Sequence, residues 1–282
     1  MFMIEGYENI KPNLRVCILN WNGGDTLNQC VNSILSNNAN NFRVTVIDNC
    51  STDGSIEKLD SQIELIQLEK NYGFSAGYNL GLNRCLSDND EYIIILNYDT
   101  TLDSNFISSI TDQITKNGPD YIYGAKILYD DNRDLIWYGG GVTNLSKGII
   151  SHIGIRENHE NYSSQSETDY VTGCCMIIHK DNYLKLGGFD QSFFMYNEDV
   201  DLCLRAKKIG VYCIYVPSAI VYHKVSFSTG GNYSIKKILL KSKSSYTLFR
   251  KYFTAPKAFF LLFKYFIRSL FNMNSKKKHG YR

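Results

Sequence analysis

Glu198 and Asp199 are neighbouring acids that follow Phe193-Phe194-Met195-Tyr196, so two carboxylates stand beside an apolar lip. Such surroundings raise a carboxylate's pKa and suit it to accept a proton near neutrality. Asp201 has Arg205 four residues on, whereas the corresponding neighbours of Glu198 and Asp199 are Leu202 and Cys203. The competing reading is plain helix construction, with Asn197 as N-cap, acids in the first turn, Lys207 and Lys208 in the last and Gly210 just beyond. Asp99, in Asn97-Tyr98-Asp99, follows an apolar run at 92–96, so it either faces solvent past that run or binds something cationic. His223 ends a strand-like run at 219–222 and is either structural or, as neutral imidazole, completes an oxygen-rich divalent site with Asp99. Asp48 closes a third apolar run and opens a turn at 49–54, where it either shapes the turn or holds a nucleoside by hydrogen bonds.

Short β-rich runs at 15–19, 44–47, 63–66 and 92–96 alternate with apolar residues at helical spacing, such as Leu27, Val31, Ile34 and Leu35, and with a Gly-punctuated helix near 77–86. Repeated strand, crossover, strand units imply a parallel α/β sheet with right-handed connections. Ligands of such sheets bind beyond the carboxyl ends of the strands, which here carry Asn20-Trp21-Asn22, Asp48-Asn49, Asn71 to Gly77 and Asn97-Tyr98-Asp99. In the turn at 51–54 Asp53 can cap a helix. The second half is less regular: a Gly-rich hairpin at 137–141, short strands near 147–155 and 170–179, and a helix over about 197–209. Neither a dinucleotide-binding nor a phosphate-loop glycine pattern follows the first strand, so carboxylates and a divalent cation are left to hold a charged ligand.

The formal charge of +2 conceals a division. From His223 onward there are 14 Lys plus Arg and no acid, so about −12 is followed by +14. An acidic body excludes the usual nucleic-acid binder, and the apolar and aromatic content excludes wholesale disorder. The first residues lack a charged n-region and a long apolar stretch, and the run at 258–263 is too short to span a bilayer. Eight scattered cysteines without a C-x-x-C pair are expected to be reduced and mostly buried. The tail reads as two helices, 235–253 and 257–271, broken at Pro256. In the second, Lys257, Lys264 and Arg268 share one side and Phe259, Phe260, Leu262, Phe263, Phe266, Ile267, Leu270 and Phe271 fill most of the rest. That composition suits a helix lying on an anionic membrane. The alternative is a tail packed on its own acidic domain or on a second copy in a homodimer.

Six stretches in order, at 16–23, 46–55, 71–79, 96–100, 187–205 and His223, resemble the inverting family 2 nucleotide-sugar glycosyltransferases, particularly the rhamnosyltransferase-like branch that builds bacterial surface polysaccharide. The resemblance implies a GT-A fold, a Rossmann-like open mixed sheet in one catalytic domain (1–230), followed by a basic amphipathic helical tail (231–282). It implies a donor site of Asn20, Asp48, Asn71, Gly73, Asn79, Asn97, Tyr98 and Gly173, with Asp48 reading the base. Asp99 and His223 then hold Mn²⁺ or Mg²⁺, Asp199 acts as the catalytic base, and Glu198 is its partner. Asn97 stands where the metal-binding motif has its first acid, which lowers the negative charge of the site. The implied activity is transfer of a sugar from dTDP-rhamnose or a UDP-sugar to a glycan or lipid-linked acceptor, on the cytoplasmic face of the plasma membrane. A catalytically silent sugar-nucleotide or glycan-binding subunit is the rival. A nucleotidyltransferase is disfavoured because 20–24 carries no Lys or Arg.

Overall fold

The computed structural model describes residues 11–225 and 235–277, with side chains omitted at 235–236 and 268–277. The chain runs β1 (Leu14–Asn20), α1 (Gly24–Leu35), β2 (Phe42–Asp48), β3 (Glu64–Gln67), α2 (Gly73–Cys85), β4 (Tyr92–Asn97), β5 (Thr100–Leu102), α3 (Phe106–Asn117) and β6 (Tyr121–Tyr129). There follow β7 (Ile136–Tyr138), β8 (Gly141–Asn144), β9 (Ile149–His152), β10 (Ser166–Thr168), β11 (Cys175–His179), α4 (Lys180–Lys185), α5 (Glu198–Lys207), β12 (Tyr212–His223), α6 (Ile235–Tyr252) and α7 (Ala255–Lys277).

The strands of the main sheet lie in the order β10-β12-β6-β11-β4-β1-β2-β3, with β5 added on β12 and β7 on β6. β3, β2, β1 and β4 are parallel, and β11 enters antiparallel between β4 and β6, which makes the sheet mixed. The central strands are predominantly apolar because both faces are covered, with Arg15 of β1 buried as an ion pair with Asp90. Val16 and Ile18 of β1 join one core with Leu27, Val31 and Ile34 of α1 and Phe106 and Ile110 of α3. Cys17, with Ile93 and Ile95 of β4, joins a second core on the other face, with Leu82 of α2, Tyr183 of α4 and Leu202 of α5. The period-2 alternation of a strand thereby feeds two cores.

Several local expectations are corrected. Asp53 starts no helix of its own; its Oδ2 accepts the Gly24 N–H across the sheet edge at 2.7 Å, at the start of α1. The glycines at 139–141 do not close a hairpin, since β7 pairs with β6 while β8 pairs with β9. The strand expected from 170 begins only at Cys175, because the Val171 and Gly173 N–H groups point to α5, at Cys203 Sγ and Asp199 Oδ2. Seven of the eight free thiols are buried and Cys50 is exposed.

In the tail, Pro256 does not break a helix but sits in the first turn of α7, where a missing N–H costs nothing. Leu248 joins the second core, and Phe249, Ala258 and Leu261 form a third small core flanked by Leu145 and Ile150. Lys251 lies 2.6 Å from both Asp190 and Asp201. One side of the tail is therefore packed on the acidic domain. Phe259, Phe260 and Phe263 of α7 remain 68%, 54% and 58% exposed. The expectations for Arg268, Leu270 and Phe271 lie outside the described side chains. No helix among the described residues is long and apolar enough to cross a membrane.

Candidate active site

The carboxyl ends of β1, β2 and β4 come together as their register requires, with Asn20 opposite Asp48 and Leu19 opposite Asn97. Asp48 is buried and already accepts three hydrogen bonds: Asn20 Nδ2 (2.8 Å) and Ser51 Oγ (2.6 Å) at Oδ1, and Ser51 N–H (3.1 Å) at Oδ2. It therefore does shape its turn, and a ligand would find acceptor capacity chiefly at Oδ2. Asn20 is wholly buried, donating also to Ser51 and Ser55 at 3.0 and 2.9 Å, so it orients Asp48 from behind. Asn49, the second residue of that strand end, ties it to α2: its Nδ2 donates to Asn71 Oδ1 and Gly73 O, and its Oδ1 accepts Tyr72 N–H. Gly73 has φ +79, and a Cβ built there would lie 2.5 Å from Phe194 O, so only glycine lets the loop before α5 approach. Asn79, expected in the nucleotide pocket, is instead consumed by the far side: Nδ2 donates to Phe189 O, while Oδ1 accepts Tyr183 Oη–H and Phe189 N–H. It lies nearly two turns into α2, on the face turned to α4.

Asn97 and Tyr98 are half-buried at the end of β4, and Asp99 and His223 are buried beside them. The antiparallel pairing of β5 with the end of β12 sets His223 opposite Thr100, next to Asp99. His223 Nε2 is 3.4 Å from Asp99 Oδ1, within ion-pair reach but without hydrogen-bond alignment, and Asp99 Oδ1 and the other ring nitrogen, His223 Nδ1, are each buried without a hydrogen-bond partner. Trp137 packs edge-on against His223 and tilts against His152, with centroids 4.5 and 4.7 Å apart. Burial, helped by Lys241 and His223, lowers the His152 pKa to about 3, so this ring is neutral. No three His, Cys, Asp or Glu converge among the described residues. A carboxylate and an imidazole with unclaimed atoms nonetheless fit a hard divalent cation, whose other ligands would come from phosphate oxygens and water.

Tyr196 and Asn197 are both left-handed, with φ 74 and 63, and turn the chain sharply into α5. Asn197 occupies the cap position but makes no cap hydrogen bond; its Nδ2 donates to Ser244 and Ser245 of α6 at 3.2 Å each. Ser244 Oγ also donates to Tyr196 O. The strained turn is thus held by the tail rather than by itself. Beyond it, Asp199 Oδ2 accepts Gly173 N–H at 2.9 Å and Oδ1 accepts Val200 N–H at 2.8 Å. Burial raises the Asp199 pKa, the Gly173 and Val200 N–H groups opposing it. Burial first, and Asp199 second, push the Glu198 carboxyl well above its usual range; its Oε2 has no partner. The Cys174 thiol, raised mainly by burial, also feels both Asp99 and Asp199. A hollow of about 680 Å³ lies at the opposite edge, around Arg15 and Glu64, away from these groups.

The sequence model of the glycosyl transferase family 2 matches residues 15–186, well over half of the chain. The chain belongs to that family. The matched stretch includes Asp48, Asp99 and Gly173 and ends before Glu198, Asp199 and His223. Rhamnosyltransferase WbbL of Escherichia coli is 28% identical over 58% of this family 2 chain, which covers 64% of that protein's length. The N-acetylglucosaminyl-diphospho-decaprenol L-rhamnosyltransferase of Mycobacterium tuberculosis is 42% identical over 24% of this chain and 22% of its own. The dTDP-rhamnosyl transferase RfbF of Shigella flexneri is 24% identical over 79% of this chain and 72% of its own. These likenesses make the chain rhamnosyltransferase-like. Among solved structures, GalNAc-T7 with UDP, GalNAc and Mn²⁺ superposes with a TM-score of 0.66 at 17% identity, covering 81% of this chain and 46% of that one. The mannosyltransferase PcManGT of Pyrobaculum calidifontis, with GDP-Man and Mn²⁺, gives 0.61 at 13%, covering 90% and 69%. The fold is GT-A.

Proposed function

We propose that the chain transfers a sugar, with inversion, from dTDP-rhamnose or a UDP-sugar to a hydroxyl of a glycan or lipid-linked acceptor in surface polysaccharide synthesis. The observation that carries this reading is Asp199: a half-buried carboxylate of raised pKa, fixed by two backbone N–H groups two residues past the left-handed turn, and acting, like Asp99, on Cys174. Asp199 takes the proton from the acceptor hydroxyl as that oxygen attacks the anomeric carbon from the face opposite the nucleotide, and the bond from that carbon to the diphosphate oxygen breaks to release the nucleoside diphosphate. Glu198, largely protonated, leaves Asp199 the ionised member of the pair. Asp48 hydrogen-bonds the base, Asn71, Gly73 and Tyr98 border the nucleoside, Asn97 borders the diphosphate, and Gly173 borders the sugar. Asp99 and His223 would hold Mn²⁺ or Mg²⁺, which supplies neutralisation of the diphosphate. The exposed aromatic face of α7 meets an anionic membrane surface, so the enzyme works peripherally on its cytoplasmic face.

The test is incubation of the full chain with dTDP-rhamnose and UDP-sugars, Mn²⁺ and a lipid-diphosphate-linked sugar. A mass increase of one sugar, with an anomeric configuration opposite to the donor's by NMR, is expected. Tight donor binding with neither transfer nor donor hydrolysis would favour the silent binding subunit, the reading to which Asn97 lends weight.

A further inference from the structure

Lysines 237, 241 and 251 all lie on α6, yet only Lys251 finds acids to pair with. Residues 237, 241, 244 and 248 recur at helical spacing, and Ser244 and Leu248 of that row are buried by the catalytic domain. The row therefore turns Lys237 and Lys241 inward, and both are half-buried. Lys241 Nζ stands 5.2 Å from the centroid of Tyr196, the residue whose carbonyl Ser244 holds. Asp99 acts on Lys237, and Lys241 acts on His152, which Trp137 joins to His223. Two ammonium groups thus reach the one region where Asp99 and His223 keep unclaimed buried atoms.

Among the described residues neither lysine makes a salt bridge. Burial lowers both pKa values, and Lys237 adds to the lowering of Lys241, so each charge is poorly served by its surroundings. Asp99 is the one acid that acts on Lys237, and with Asn97 in place of a second acid in that loop the two ammonium groups suit a compact, multiply charged anion. Lysine is a point-charge donor suited to phosphate oxygens.

We propose that Lys237 and Lys241 of α6 form a diphosphate clamp on the donor, closing the nucleotide site from the tail side and neutralising the departing nucleoside diphosphate. The clamp rests on the nucleotide-sugar reading. It makes the tail part of the donor site.

Calorimetric titration of the full chain with dTDP, UDP, thymidine and uridine, at low and high salt and with or without Mn²⁺, tests it. The Lys237→Gln/Lys241→Gln variant is expected to lose about tenfold in nucleoside diphosphate affinity per lysine. Affinity for the nucleosides and the melting temperature should stay as in wild type, the salt dependence should weaken, and Lys237→Arg/Lys241→Arg should retain binding. Unaltered diphosphate affinity in the Gln variant overturns the clamp, as does an equal loss for nucleosides and diphosphates. If binding to vesicles carrying a polyprenyl diphosphate falls while dTDP and UDP binding holds, the lysines serve the acceptor and the donor assignment is overturned. A wild-type chain that binds neither dTDP nor UDP refutes the nucleotide-sugar reading itself, and the clamp with it.

Discussion

Asp199→Asn separates chemistry from architecture because the two carboxylate oxygens have defined partners. Each accepts one backbone N–H, from Gly173 and from Val200. Asparagine keeps one acceptor oxygen and sets an amide NH₂ against the other N–H, so one hydrogen bond is lost, at about 1–3 kcal/mol when a buried donor is orphaned. Against this, the variant removes a carboxylate whose ionisation burial already opposes. The net change in folding free energy should therefore be no more than about 1–2 kcal/mol, a few degrees in melting temperature. Loss of the proton acceptor lowers the chemical step by about 10²–10⁴. Steady-state kinetics beside a donor titration provide the assay: kcat should collapse while donor Kd stays put. The acidic limb of the wild-type kcat/KM profile, set by a carboxylate titrating above its ordinary range, should vanish from the residual activity. Donor affinity that falls in step with kcat, or a kcat within about tenfold of wild type, would show Asp199 to be a structural link between α5 and the 171–174 segment.

Asp99→Ala should weaken Mn²⁺-dependent binding of a nucleoside diphosphate while leaving nucleoside binding intact; a titration with unchanged Mn²⁺ affinity refutes the cation role. Glu198 ionises in the unfolded chain near its ordinary value of 4.5 but stays protonated in the fold well above it. Stability should fall as pH rises through that window, by up to about 1.4 kcal/mol per pH unit from this group. Glu198→Gln should flatten that slope in denaturation curves taken from pH 4 to 8, and an unchanged slope counts against a buried neutral acid. Gly73→Ala, at φ +79 and with its Cβ 2.5 Å from Phe194 O, should lose about 2–4 kcal/mol in chemical denaturation. A near-neutral result would mean that the loop before α5 gives way freely. Phe260→Glu/Phe263→Glu should reduce co-sedimentation with phosphatidylserine vesicles by about tenfold or more; equal partitioning refutes the membrane reading.

The parallel half of the sheet was legible because its signals are local. The runs around Val16, Val44 and Tyr92 extend by only a residue or two at either end, and their polar carboxyl ends do converge. What escaped were pairings between distant residues that leave no period in the sequence. Asn71 and Asn79 look alike within one Gly-rich stretch, yet α2 begins at Gly73 and carries Asn79 to Phe189, 110 positions away. Asn197 has the composition of an N-cap, but its side chain is claimed by serines 47 and 48 residues on. Those serines, Ser244 and Ser245, are polar yet buried. Asn49 could be placed at a strand end but its partners could not, although an asparagine just past a strand end is the type that can bridge two loops by donating and accepting together.

The charge division therefore does not separate an enzyme from its anchor. Lys251 crosses it to reach Asp190 and Asp201, Ser244 crosses it to hold the turn before Glu198, and Lys237 crosses it toward Asp99. Deleting the tail would remove the brace on Tyr196 and Asn197, so any loss of activity would speak to the shape of α5 as much as to a membrane. The exposed and docked faces are different residues: Phe259, Phe260 and Phe263 point away, whereas Leu248, Phe249, Ala258 and Leu261 are buried. Substitutions confined to the outer face leave the brace intact and isolate attachment. A bilayer pulling on α7 would act on a helix joined, through two residues, to the one that holds the turn before Glu198. If the tail attaches to a membrane as proposed, attachment and presentation of Asp199 would be mechanically linked, and activity on a soluble acceptor should respond to vesicles only when Phe260 and Phe263 are present.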